Sequence, residues 1–153
     1  MELADQAPDP PWDPWAALRA RPHVELRFAP EAALTGGAML VSGPGRAIVV
    51  LDPALDRRAR RCALAHELVH EERGGGCDGH GLPEWLDDVV ARDEAAVNRE
   101  VAIRLVPRRA LQHLVEQRGG LGEGVAPWEV ADAFDVDDTV AALALSLLAA
   151  APA

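Results

Sequence analysis

Cys62-Ala-Leu-Ala-His-Glu-Leu-Val-His70 is the stretch that decides how this chain is read. At its centre stand His66, Glu67 and His70, spaced H-E-x-x-H. The run is apolar, rich in alanine and free of Gly and Pro, which predicts a helix. On a helix, side chains four residues apart lie on one face. His66 and His70 therefore point at one spot, and Glu67, one residue round, leans over it. Two neutral imidazoles suit Zn2+, and a carboxylate beside them can take a proton from zinc-bound water. The expectation is a zinc-dependent hydrolase of peptide bonds, with Glu67 as general base. Leu64, Ala65, Leu68 and Val69 give this helix a buried side. Charged residues flank it at Arg57, Arg58, Arg60 and Arg61, and again at Glu71, Glu72 and Arg73.

A chain of 153 residues is long enough for one domain with a real core, or one domain with a small appendage. Its formal charge of −10 argues against a broad nucleic-acid footprint. Every basic residue is Arg, and there is no Tyr. With the abundant Ala, that composition reads as a coding bias and carries no mechanism. The first residues, MELADQAPDPPWDPW, are acidic and proline-rich, unlike a secretory signal, and the apolar tail is too short to span a bilayer. The expected location is the cytoplasm, with no membrane partner. There, Cys62 and Cys77 would stay as thiols.

The rest of the chain predicts an α+β fold in which a short antiparallel sheet packs on helices. Residues 1–11 read as a disordered lead-in, 12–118 as the metal-binding domain and 119–153 as an acidic, helical C-terminal extension. A short helix is expected over Trp12–Ala20, with Trp12 and Trp15 as core anchors. Three strands follow, at His23–Phe28, Gly37–Ser42 and Arg46–Leu51, and read as an antiparallel meander. The last of them is a candidate edge for an extended substrate segment. Asp52 is the expected N-cap of the metal helix, with Pro53 in its first turn and Gly74-Gly-Gly76 as its stop. Further helices are expected over Pro83–Val106, Arg108–Arg118 and, as a pair, Pro127–Leu148.

A catalytic zinc takes three protein ligands and keeps a fourth position open. The third comes from His80, Asp87, Asp88, Asp93, Glu94 or Glu100. Helical phase favours Glu94, which falls within the apolar stripe of Val90, Val97, Val101 and Leu105. A carboxylate on a buried stripe needs a partner, and a metal is one. Asn98, one turn on, is placed to hold a ligand by a hydrogen bond. A structural site built from Cys62, His66, His70 and Cys77 fails on geometry, because Cys62 and His70 lie about 12 Å apart along a helix axis.

The run CALAHELVH, followed by E-x-x-x-N-R-E-x-A-x-R-L-V-P from Glu94 to Pro107, resembles the ImmA/IrrE family of metallo-endopeptidases. The likeness covers about residues 12 to 117. It implies a zincin-like domain with His66, His70 and Glu94 as zinc ligands and Glu67 as catalytic base. It further implies a protein substrate, a helix-turn-helix transcriptional repressor, and a role in stress response. Where many relatives have Phe-Ala in the second helix, this chain has Glu100-Val101. Zincins often add a Tyr, His or Arg that steadies the oxyanion. With no Tyr present, the candidates are His113, then His80 or Arg104. The competing reading is a zincin-fold binding module that sequesters a regulator without cutting it, and a third is a toxin- or antitoxin-like partner of a mobile element.

The C-terminal pair of helices has the outline of a helix-turn-helix, yet Gly119–Ala153 holds six acids and no base. Such a surface repels phosphates, whereas DNA binding depends on neutralising them. The full chain should therefore show no micromolar affinity for duplex DNA in an equilibrium titration. Micromolar binding that weakens with added salt would overturn this expectation.

Overall fold

A computed structural model describes residues 9–30, 36–75, 87–119 and 124–150. The fold is α+β, with one three-stranded sheet and six helices among the described residues. These are α1 (Pro14–Arg19), β1 (Val24–Phe28), β2 (Ala38–Gly43), β3 (Arg46–Leu51), α2 (Arg57–Glu72), α3 (Asp87–Leu105), α4 (Arg108–Gln117), α5 (Pro127–Phe134) and α6 (Asp138–Ala149).

The sheet is mixed and its order is β1-β3-β2, which corrects the expected antiparallel meander. β2 and β3 form an antiparallel hairpin, whereas β1 pairs parallel to β3 with Val24 opposite Ala47 and Phe28 opposite Leu51. The chemistry of the strands explains the order. β3, RAIVVL, carries apolar residues on both faces and takes the centre, where both of its edges are paired. β1 carries Glu25 and Arg27 on one face and takes an edge, where charge discourages pairing with another chain. β3 is consequently not available for strand addition; among the described residues the outer edges belong to β1 and β2.

Alternation along β3 sends Ala47, Val49 and Leu51 to one face, and all three are buried. Leu40 of β2 and Val24 of β1 join them on that face, opposite Val49 and Ala47 respectively. α2 lies against β2 and β3 and also against α1. Leu64, Leu68 and Val69, essentially inaccessible to solvent, form its contribution to the core.

α2 starts later than Asp52. The Asp52 carboxylate instead accepts the Ala54 N–H at 2.8 Å, and its own N–H donates to the Gly37 carbonyl, so residues 52–55 form a turn after β3. The helix begins where Asp56 accepts the Ala59 N–H at 2.9 Å. Both aspartates are good caps; the turn uses the first and leaves the second for the helix. At the other end, Gly74 and Gly75 adopt φ of 100° and 89°, and the Gly75 N–H returns to the His70 carbonyl at 2.9 Å. A Cβ on Gly75 would lie 3.0 Å from Ser42 Oγ, so both backbone angle and space favour glycine there.

The chain divides into two compact units within α3. One contains α1, the sheet, α2 and α3 as far as Val101; the other contains residues 9–12, the end of α3 and α4 to α6. The expected boundary at 118/119 falls inside the second of these. In that unit α6 packs on α4 and on α5. Asp135 turns the α5–α6 corner in the left-handed region at φ 55°, Val136 is fully buried, and Asp137 caps α6 through the Val140 N–H. Trp12 and Trp15 are half-buried, each in a different unit, and the buried residue of α1 is Pro14. The expected lead-in lies mostly outside the described residues, as do the start of the second long helix and Cys77. No helix among the described residues is long and apolar enough to cross a membrane.

Two substitutions test this account of α2. Leu64→Ala empties a fully buried position and should cost about 2–5 kcal/mol in urea denaturation. Asp56→Ala removes the cap and should cost about 1 kcal/mol. If Asp52 were the true cap, Asp56→Ala would leave stability unchanged.

Candidate metal centre

The apolar residues of α2 that face the core fix its rotation about its own axis. That rotation places His66 and His70 one turn apart at the boundary of the core. The His70 side chain is 8% exposed and that of His66 24%. Their rings meet edge-on, with centroids 4.7 Å apart and planes at 70°, and the two Nε2 atoms are 3.0 Å apart. α3 brings Glu94 to the same point, with Oε1 2.9 Å from His70 Nε2 and Oε2 3.2 Å from His66 Nε2. One donor atom from each of the three residues lies within 4.8 Å of the others, close enough for them to share a metal ion.

The donor chemistry fits a cation. Two neutral imidazoles that both turned lone pairs inward at this separation would repel each other. An electropositive centre between them, a proton or a metal ion, removes that repulsion and also satisfies the carboxylate. Burial lowers the pKa of His66 below the ordinary histidine value, and the neighbouring His70 lowers it further. Glu94, together with a hydrogen bond that the His66 ring donates to Asn98, acts in the opposite direction without reversing the shift. The shift favours the neutral form of His66, the form that metal ligation requires. Asn98, one turn beyond Glu94 on α3, is near enough to His66 to influence its titration.

Glu67 is 7% exposed, and Asp52, Glu67 and His70 are the buried polar or charged residues among those described. A carboxylate carried this far out of water is costly unless it is engaged. The other candidates for third ligand do not converge on the histidines. Asp87 and Asp88 are exposed at the start of α3, and Asp93 pairs with Arg73 at 2.7 Å. Glu100 does not belong to the group of three donors, and His80 lies outside the described residues. Cys62 is a buried thiol outside any disulfide.

His113 sits on the exposed side of α4, in the other unit, with its Nε2 2.9 Å from Gln117 Nε2. The Arg104 guanidinium, also in that unit, lies 5.0 Å from the centre of the Trp12 ring. Sequence reasoning missed the residues that brace the end of α2. Arg21 and His23 reach Glu71 and Glu72 across about 50 positions, a pairing that no local pattern signals.

Compared with protein-family models and with curated proteins, the sequence matches none. The test of the centre is therefore chemical. Glu94→Gln keeps the size of the side chain but removes its charge and one strong donor. Its affinity for Zn2+, measured by competition with a chelator, should fall by at least the roughly 10- to 100-fold that losing even a supporting partner costs. Unchanged affinity would place the third donor elsewhere.

Proposed function

We propose that the protein is a zinc-dependent endopeptidase with a zincin-like domain of the ImmA/IrrE type, acting on a protein regulator such as a helix-turn-helix repressor. The observation that carries this reading is the meeting of His66, His70 and Glu94 beside a buried Glu67. Two histidines and one glutamate are a ligand set typical of catalytic zinc, with a position left for a reactant. Oxygen-only sites for calcium or magnesium have a different composition, and thiolate-rich structural sites need cysteines that this group lacks.

When bound, zinc supplies Lewis acidity, polarising a carbonyl and acidifying water. The chain's own residues would do the remainder. His66 and His70, kept rigid by the helix, and Glu94, delivered by α3, would hold the ion. Asn98 would fix the His66 ring through its hydrogen bond. Glu67 would accept a proton from the water that attacks the scissile carbonyl and pass it to the departing amine. Its burial suits that task, because a carboxylate short of solvent has fewer competing hydrogen bonds and holds its place.

Glu67→Gln tests the peptidase reading against simple sequestration. The substitution is isosteric and removes no zinc ligand, so metal and partner binding should survive. Cleavage should fall by about 10²- to 10⁴-fold, the usual loss for a general base. In cells, wild type should release the promoter that the partner represses and Glu67→Gln should not, while both still co-purify with the partner. If the variant releases the promoter as well as wild type does, the protein works by binding alone.

A further inference from the structure

We propose that Arg21 is a positioning residue for the metal centre. From the segment between α1 and β1, its guanidinium neutralises Glu71 and Glu72 and so holds the last turn of α2, which carries His70. This rests on the reading of His66, His70 and Glu94 as metal ligands.

α2 carries its charges in the wrong order for a helix. A helix presents partial positive charge at its N-terminus and partial negative charge at its C-terminus. Here Arg57, Arg58, Arg60 and Arg61 crowd the N-terminal half, and the first turn has no acid. Glu71 and Glu72 stand at the other end, where the only basic side chain of the last turn is His70 itself. Helix ends fray most readily, and two carboxylates at a C-terminus add to that tendency. His70 lies in this turn, and a donor set whose nitrogens are 3.0 Å apart tolerates little displacement.

Arg73 at the C-cap is engaged with Asp93, and Arg21 adds positive charge beside Glu71 and Glu72 from outside the helix. Its NH1 donates to the Ala17 carbonyl at 2.9 Å, which anchors the guanidinium on α1. Its Nε lies 3.5 Å from Glu71 Oε2, and its NH2 pairs with Glu72. His23 adds a contact to Glu71 at 2.9 Å. The Arg21 side chain is only 20% exposed, with Glu71 at 18% and Glu72 at 29%, so solvent screens this cluster less than an open surface pair. The Arg73–Asp93 pair nearby also ties the end of α2 to α3, but both partners are nearly half exposed. Arg21 is thus the better shielded of the two ties.

The test uses Zn2+ alone as probe and the full chain, read by chelator competition, with far-UV circular dichroism of the metal-free protein as a check on folding. Arg21→Gln should retain the wild-type spectrum and lose about 10- to 100-fold in zinc affinity, the range for residues that hold a ligand in place. Adding Glu71→Gln and Glu72→Gln to it should restore most of that affinity, because the repulsion that Arg21 offsets is then gone. Should Arg21→Gln fail to fold, Arg21→Lys keeps a cation but loses the fork and should show a smaller loss of the same kind. Wild-type affinity in Arg21→Gln, or in Arg21→Lys where that variant is the one measured, overturns the proposal. So does a loss that the two glutamine substitutions do not relieve, which would make Arg21 a general packing residue. If wild type itself binds no zinc, the metal-centre reading fails first and separately.

Discussion

Two imidazole nitrogens 3.0 Å apart, with a carboxylate oxygen 2.9 Å from one and 3.2 Å from the other, set the terms for the rest of this molecule. At these distances the lone pairs of the three donors need a ring proton or a metal ion among them. The helix repeat gives the two nitrogens their spacing at no further expense, since residues four apart face the same way. The carboxylate must be brought from another element, and α3 delivers it. Everything that orients α2 and α3 in this unit therefore bears on the donor geometry.

The sheet supplies the main reference surface. Placing β3 at the centre gives α2 an apolar floor of Ala47, Val49 and Leu51, extended by Leu40. Leu64, Leu68 and Val69 seat the helix on it, and the close approach of Gly75 to Ser42 Oγ sets where the chain leaves. Packing of this kind is intolerant of small shifts, because interiors are near crystal density. The three-stranded sheet among the described residues can thus fix which way α2 turns the two histidines.

Much of this was legible in the sequence because it depends on local periodicity. His66 and His70 follow from the helix repeat, Glu94 from its helical phase with Val97 and Val101, although its side chain is 41% exposed and not buried as that stripe implied, and β3 from an unbroken apolar run bounded by turns. The α5–α6 pair follows from Asp135-Val136-Asp137, where one aspartate turns the corner and the other caps the next helix. Strand order was not legible. The sequence shows which segments are extended, but whether β1 sits beside β2 or across β3 depends on pairing between distant segments. The start of α2 was misplaced because Asp52 and Asp56 are equivalent as caps, and only the turn after β3 distinguishes them. Arg21 was invisible for a related reason: an ion pair that spans some 50 residues leaves no mark on either local sequence.

α2 breaks several local rules at once. Apart from Asp56 at the N-cap and Arg73 at the C-cap, its charges oppose its dipole at both ends, its buried side includes Glu67 and His70, and its last turn is tied to another part of the chain. A helix shaped for stability alone would place acids first, bases last and apolar residues throughout its inner face. Proteins that keep such conflicts usually keep them where they act. Of the three buried polar or charged residues described, Asp52 is explained by the turn it caps and His70 by the donor group it completes. Glu67, the third, is 7% exposed and follows His66 directly in the sequence. On the peptidase reading proposed above, Glu67 would be the proton acceptor beside the metal, and the same reading would account for a helix that the sheet and Arg21 hold against part of its own electrostatics.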